Sequence, residues 1–256
     1  AAVDAEGRAM SNWVQGQVVD NVKWTDELYT MQVKAPVEPF NAGQFTRLAL
    51  DIDGERVARA YSYVNAPDDE FLEFYFNTVP DGPLSNSLSE LRQGDKLWVA
   101  PRPVGLLTLQ EVADADHLWL LATGTAIGPF ISILRSELPW QRFSRIVLVH
   151  GVRTTDELAY QETIRGFSER DPEKFTMVPF VSRQKTDYAV EGRIPEAIEN
   201  GLLENRVGLT LDAARSQVMI CGNKGMVQDT QAQLEQRGLK KNRRGETGQI
   251  TTENYW

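Results

Sequence analysis

Nine residues, RAYSYVNAP (59–67), set an arginine and two tyrosines at alternate positions of a segment that otherwise reads as a β-strand. Strict alternation places Arg59, Tyr61 and Tyr63 on one face of the pleat and Ala60, Ser62 and Val64 on the other. Taken alone, the segment has two readings: a barrel strand with an aromatic exterior, or a strand that holds a charged, flat ligand. A second stretch, PDGPLS (80–85), leads into a helix start, where the orphan first-turn amides of Leu84 and Ser85 favour an anion. Arg59 could supply the counter-charge for a pyrophosphate there, and Tyr61 a face for a flat ring to stack on. FAD has both a diphosphate and an aromatic ring.

Another group of residues lies at strand ends in the second half. ATGTAIGP (122–129) follows an apolar strand; its glycines permit close backbone approach and Pro129 suits a first helical turn, so a phosphate-bearing ligand could lie against it. It is not GxGxxG. The next two strands run into Arg153 and Arg183, and Arg193 precedes the following helix. In dinucleotide domains an acidic residue after the second strand holds the ribose 2′-hydroxyl, whereas an arginine accommodates a 2′-phosphate. Singly, each arginine reads as an ordinary surface residue; together they favour NADPH over NADH, because the guanidinium fork matches phosphate oxygens. The last of these strands ends in CGN (221–223), where Cys221 is either a packed core thiol or faces the nicotinamide across the same crevice.

Two scaffolds must position these residues. From Trp13 to about Thr108 apolar residues recur with period two, in WVQGQVVDNVKW, LYTMQVKA, FTRLALDI, RVARAYSYV, FLEFYFNTV and DKLWVA, with a hairpin signal at Asp53–Gly54. Six strands in so short a stretch imply an antiparallel barrel, interrupted by a short helix over 83–91. Beyond it, continuously apolar strands (117–124, 145–153, 175–183, 216–223) alternate with helices (129–138, 157–170, 194–203, 226–238), the signature of a parallel sheet covered on both faces. Ligands of such sheets bind outside the carboxyl ends of the strands.

Composition narrows the chemistry. The 256 residues suffice for two domains, and 41% hydrophobic with 25% charged residues is the balance of a globular chain. One cysteine, Cys221, and two histidines, His117 and His150, leave no cysteine-ligated cluster and no multi-histidine metal site within this chain, so redox chemistry must come from an organic cofactor. A net charge of −9 argues against nucleic acid as a partner. The basic stretch LKKNRRGE (239–246) reads as a solvated helix end and loop, or as a local docking patch. The opening AAVDAEGRAM lacks an apolar core and is expected to be an appended leader with Met10 as native start. LWLLATGTAIGPFISIL (118–134) falls short of a membrane span and is broken by Gly124, Gly128 and Pro129. A cytoplasmic monomer without membrane attachment is expected.

RAYS, PDGPLS, ATGTAIGPF, VSR, GR, CGN and the terminal YW, in this order and spacing from about Trp13 to Trp256, resemble the ferredoxin/flavodoxin–NADP reductase family, bacterial type. With the leader set apart as residues 1–10, the resemblance implies an FAD-binding antiparallel β-barrel over 11–110 and a parallel-sheet α/β NADP-binding domain over 111–256 whose tail returns to the flavin. It implies that Arg59, Ala60, Tyr61 and Ser62 hold FAD, with the arginine on the pyrophosphate, the tyrosine on the isoalloxazine and the serine hydroxyl near flavin N5. Tyr75, the backbone of Pro83, Leu84 and Ser85, and Thr125 fall on further FAD positions. Val152, Arg153, Ser182, Arg183 and Arg193 fall on NADP positions, and Cys221, Gly222, Asn223 and Asp229 lie along the same ligand. Tyr255 and Trp256 would cover flavin and adenine.

NADPH gives up only a hydride, whereas ferredoxins and flavodoxins take single electrons; a flavin does both. The expected reaction is hydride transfer from nicotinamide C4 to flavin N5, then two one-electron steps to the carrier, or the reverse. Ser62 and Cys221 would position the rings, and Tyr255 would act as a gate. Lys240, Lys241, Arg243 and Arg244 are candidates for a positive docking face. The alternatives are an NADPH-dependent reductase of free flavin, ferric chelates or an oxygenase partner, and a nucleotide-sensing module without chemistry. A purely structural protein would leave the converging arginines unexplained.

Overall fold

The structure is a computed structural model and describes residues 12–255. The expected leader and Trp256 lie outside the described residues. Two compact units divide the chain, one ending at Gly105 and the other beginning at Leu106.

In the first unit, β1 (Val14–Lys23), β2 (Leu28–Lys34), β3 (Phe45–Ile52), β4 (Glu55–Ser62), β5 (Leu72–Asn77) and β6 (Lys96–Val99) form one sheet in the order β4-β3-β6-β1-β2-β5. All its pairings are antiparallel. Helix α1 (Pro83–Ser89) joins β5 to β6 and contributes Leu84 and Leu88 to the core. The β3–β4 hairpin turns on Asp53 and Gly54, whose φ values of 51° and 82° are those of the primed turn that matches strand twist. The sheet curls until its edges meet at one end: past β4, Val64 N–H donates to Glu73 O of β5 (2.8 Å), and Glu73 N–H donates to Asn65 Oδ1 (2.9 Å). The result is an antiparallel half-barrel filled by Met31, Val33, Leu48, Phe74, Leu97 and Val99, each almost wholly buried.

The second unit runs β7 (His117–Thr123), α2 (Gly128–Arg135), α3 (Leu138–Arg142), β8 (Arg145–Val152), α4 (Gln161–Arg170), β9 (Phe175–Val181), β10 (Val190–Glu191), α5 (Ile194–Glu199), α6 (Leu202–Val207), β11 (Ser216–Gly222), α7 (Lys224–Gln236) and β12 (Ile250–Asn254). Its sheet has the order β10-β9-β8-β7-β11-β12 and is parallel throughout. The apolar stretch 118–134 is a strand, a turn and a helix, and no described helix is long and apolar enough to cross a membrane. The segment entering β7 is clamped by Arg142, which donates to the carbonyls of Leu109 and Val112 (2.6 Å each) and pairs with Asp114 (3.2 Å).

Three helices differ from the sequence expectation. The one expected over 157–170 begins at Gln161, because Thr154 and Glu157 close a capping box on a short 3₁₀ turn and Tyr160 (φ 64°) adopts a left-handed conformation. The one expected over 194–203 is two, α5 and α6, broken where Gly201 takes φ 80°. The one expected over 129–138 stops at Arg135, since Ser136 is extended (ψ 163°). Strand β12 was not anticipated, because ITTEN has neither an apolar run nor clean alternation; pairing with β11 makes it a strand.

Candidate functional site

Strand register decides which face of β4 carries the chemistry. Tyr61 lies opposite Thr46, Arg59 opposite Leu48 and Val57 opposite Leu50, so the arginine and tyrosine share the core-lining face. The outer face instead carries Ala60 opposite Arg47, and Arg56, which pairs with Asp51 (2.9 Å) and stacks over Trp98 (4.4 Å). Tyr61 is therefore no exterior ornament. Its ring is half-buried, edge-on to Phe76 (6.0 Å), and burial pushes its phenol up to about 12, so the hydroxyl stays protonated. Arg59 is exposed, donates to Ala58 O (2.7 Å) and has no acidic partner among the described residues. Ser62 ends the strand and is buried, which frees the following residues from alternation: Tyr63, Val64, Asn65 and Ala66 are all buried. Tyr75, opposite Thr30, is enclosed at 1% exposure.

Helix α1 starts with Pro83 after Gly82, and no side chain caps it. Its first helical bond is Asn86 N–H to Gly82 O (3.3 Å), so the amides of Leu84 and Ser85 precede the ladder. The Ser85 hydroxyl accepts from Val79 N–H (3.0 Å), and the Asn86 amide donates to the carbonyls of Val79 and Gly82. This ties down the turn in which Asp81 takes φ 59°. A cation without a carboxylate, a protonated phenol on a half-open ring and amides ahead of a helix are what a diphosphate bearing a flat ring needs. FAD fits these residues.

In the second unit β7 ends at Thr123, Gly124 turns with φ 55°, and buried Thr125 leads into α2. The turn is pinned from the next strand: His150 Nε2–H donates to Gly124 O (2.9 Å). Burial pulls the imidazole down to about 4, so His150 is neutral with its proton on Nε2. Its Nδ1 is buried without a hydrogen-bond partner among the described residues.

The three expected arginines follow the carboxyl ends of three adjacent strands, β8, β9 and β10. Past the strands the ladder continues, with Ser182 N–H donating to Val152 O (3.0 Å) and Arg183 N–H to Arg153 O (2.9 Å), so Arg153 and Arg183 leave the edge in register. Arg193 is the extended residue that caps α5. Arg183 and Arg193 are exposed and form no ion pair among the described residues. Arg153 pairs with Glu157 (2.9 Å). Burial pushes the Glu157 carboxyl up, but Arg153 and the amides of Thr154 and Arg153 outweigh it, and the net direction is below the ordinary value.

On the other side of β7, Cys221 pairs in register with Ala122 and Glu253 and is fully buried. Burial, then the charge of Glu253, holds its thiol well above the usual range, so it is a neutral neighbour and not a nucleophile. Gly222 ends the strand in a tight place: a Cβ there would lie 2.7 Å from both Met226 Sδ and Thr123 Oγ1, so a side chain would force these neighbours to shift. Asn223 caps α7 by accepting from Met226 N–H (2.8 Å), and Asp229 is exposed on that helix. Tyr255 N–H donates to Gly222 O (2.7 Å), so the tail runs beside Gly222 at the same sheet edge.

Glu157, His150 and Glu253 also belong to the surroundings of these residues, although the chain's motifs do not single them out. The first stands four residues after a named arginine, a spacing that could have drawn attention. Nothing local marks the others, whose surroundings arise from strands distant in sequence. Burial lifts the Glu253 carboxyl to about 7.

The comparisons agree with this division of labour. Residues 17–107 match the oxidoreductase FAD-binding domain family and residues 120–232 the oxidoreductase NAD-binding domain family. A flavodoxin/ferredoxin–NADP reductase of Shigella flexneri is 48% identical over 248 residues, covering 96% of this chain and 100% of that protein. The protein of that name from Escherichia coli is 47% identical with the same coverage. A ferredoxin NADP+ reductase from Neisseria gonorrhoeae, crystallised with bound FAD and NADP, superposes with a TM-score of 0.92 at 31% identity, covering 96% of this chain and 100% of that one. The chain is a two-domain flavoprotein oxidoreductase and belongs to the flavodoxin/ferredoxin–NADP reductase family.

Proposed function

We propose that the protein exchanges electrons between NADP(H) and a ferredoxin or flavodoxin, in the cytoplasm and as a monomer. One observation carries the choice of NADPH: Arg153, Arg183 and Arg193 stand at the carboxyl ends of three neighbouring parallel strands, the place where a 2′-phosphate is read. The names of the relatives point to the carriers, and a lone buried cysteine suits a reducing compartment.

Each residue then has a task. Arg59 and the α1 amides of Leu84 and Ser85 bind the FAD pyrophosphate, and Tyr61 stacks on its ring system while Ser62 places a hydroxyl beside it. Tyr75 serves as a wall of the FAD site in the first unit, and Thr125 keeps the FAD role that the family resemblance gives it. Bound FAD supplies the exchange between a two-electron hydride and the single electrons of the carrier. Gly222 and neutral Cys221 give the nicotinamide a close, uncharged surface, Asn223 and Asp229 continue along the nucleotide, and Val152 and Ser182 flank the arginines. Tyr255, held by Gly222 O, is the movable cover of the reacting ring, a gate that nucleotide binding displaces. Trp256 would cover the adenine.

A visible spectrum before and after anaerobic NADPH tests the reading. The protein should be yellow and should bleach with NADPH in preference to NADH. It should then reduce a flavodoxin or ferredoxin faster than free flavin or ferric chelates. Colourless protein that takes up no FAD defeats the proposal, and faster turnover of ferric chelates would transfer it to a different acceptor.

A further inference from the structure

A carboxylate after the second strand of a dinucleotide domain ordinarily signals a ribose 2′-hydroxyl, hence NADH. Glu157 occupies that region, yet its carboxylate is committed elsewhere. Oε1 accepts from the backbone N–H of Arg153 (3.1 Å) and of Thr154 (3.1 Å), which locks the carboxylate onto its own turn, while the single hydroxyl proton of Thr154 goes to Asp156. So anchored, it grips Arg153 along one edge of the guanidinium, with Nε on Oε1 (3.3 Å) and Nη2 on Oε2 (2.9 Å). A fork held along its Nε–Nη2 edge has its Nη1 end turned away from the carboxylate. The Arg153 side chain is 54% exposed while that of Glu157 is 21%, so the anchor is inside and the cation outside. The same turn is tied to its neighbour: Thr155 N–H donates to Gln184 Oε1 (2.8 Å), and Arg183 N–H to Arg153 O (2.9 Å). Two strand-end loops thus share one frame, and Glu157 is the joint that gives a long, flexible cation a fixed direction within it.

We propose that Glu157 is a positioning residue for nucleotide selectivity: it aims the Arg153 guanidinium at the 2′-phosphate and withholds its own carboxylate from a ribose 2′-hydroxyl. The proposal rests on the reading of Arg153 as a 2′-phosphate ligand. Ordering one rotamer-rich side chain in advance corresponds to about a threefold to tenfold gain in affinity, and it applies only to ligands that carry the phosphate.

The test is titration calorimetry of the FAD-loaded enzyme with 2′,5′-ADP and with 5′-ADP. Glu157→Gln keeps an acceptor oxygen for the turn amides but removes the charge that grips the guanidinium. It should raise the dissociation constant of 2′,5′-ADP about threefold to tenfold and leave that of 5′-ADP unchanged. A parallel rise in KM for NADPH with kcat retained is expected. Equal shifts for both ligands would reduce Glu157 to a structural cap, and tighter binding of 2′,5′-ADP would make it a competitor of the phosphate; either overturns the proposal. If Glu157→Gln fails to fold, Arg153→Lys carries the test: it keeps the charge, loses the two-nitrogen grip, and should lose discrimination to a similar extent, whereas unchanged discrimination refutes positioning. Arg153→Ala separates the levels. If it retains the preference for 2′,5′-ADP, the reading of Arg153 itself fails; if it loses that preference while Glu157→Gln keeps it, only the role of Glu157 falls.

Discussion

Replacing Glu253 by glutamine should uncover a pH dependence of stability that the native pair of titrating groups hides. His150 titrates at about 4 in the folded protein against an ordinary 6.5, and Glu253 at about 7 against 4.5. Both belong to the second unit. For His150 the folded value is depressed by burial, so its contribution is complete above pH 6.5 and is lost as pH falls toward 4: there the unfolded chain binds a proton that the folded one refuses. For Glu253 the folded value is raised, so folding is hindered as pH climbs from 4.5 to 7, where the folded chain keeps a proton that the unfolded one has released. Each slope is about 1.4 kcal/mol per pH unit, and the two have opposite sign between pH 4.5 and 6.5, where they nearly cancel. Integrated over its own interval, Glu253 costs about 3 kcal/mol by neutral pH. Unfolding of wild type and Glu253→Gln, followed by urea titration at several pH values from 4.5 to 8, gives the difference directly, and exposed ion pairs such as Arg170–Glu137 drop out because both proteins share them. The variant should match the wild type near pH 4.5 and gain progressively, reaching an advantage of about 3 kcal/mol above pH 7. A difference that stays constant across this range would mean that Glu253 ionises freely in the folded protein, and the argument from its burial would be wrong.

Three further substitutions probe the sites. Gly222→Ala forces a methyl against Met226 Sδ and the stiff Thr123 side chain at 2.7 Å each; overpacking of this kind costs about 1–3 kcal/mol, to be read as a melting temperature lowered by several degrees together with weaker NADPH binding. Arg193→Ala removes an exposed cation that has no ion pair among the described residues, so stability should hold while NADPH affinity falls about tenfold to a hundredfold, the worth of a charged hydrogen bond; equilibrium titration with NADPH and NADH should show the loss for NADPH alone. Tyr61→Ala removes the half-buried ring from the end of β4, and flavin fluorescence should report FAD released about five times more readily, given about 1 kcal/mol for a ring stack.

What could be read from the chain divides along a physical line. Period-two spacing and turn chemistry made the half-barrel legible, because each signal is local: Asp53–Gly54 needs only its own backbone to reverse the strand. The parallel sheet was equally open, since strands such as His117–Thr123 are apolar on both faces. Helix boundaries failed where a single residue overrides a longer pattern, as Tyr160 and Gly201 do with left-handed backbones inside apparently continuous helical spacing. Strand β12 failed for the opposite reason: its identity comes from β11, to which it is bound across nearly thirty intervening positions.

The same line runs through the site. Arginines at strand ends advertise themselves, because position relative to a strand suffices to place them on the ligand edge. The groups that constrain them do not. His150 reaches Gly124 only because β7 and β8 are paired in register, and Glu253 becomes a group that titrates near neutrality only because β12 stacks it beside Cys221. Glu157 lies between these cases, near Arg153 in sequence but committed to it by a turn that closes on both backbone amides. Charge type and spacing reveal what touches a ligand, whereas the residues that set direction and protonation gain their roles from register and burial. Substitutions of the second kind should accordingly change selectivity and pH response before they change the reaction itself.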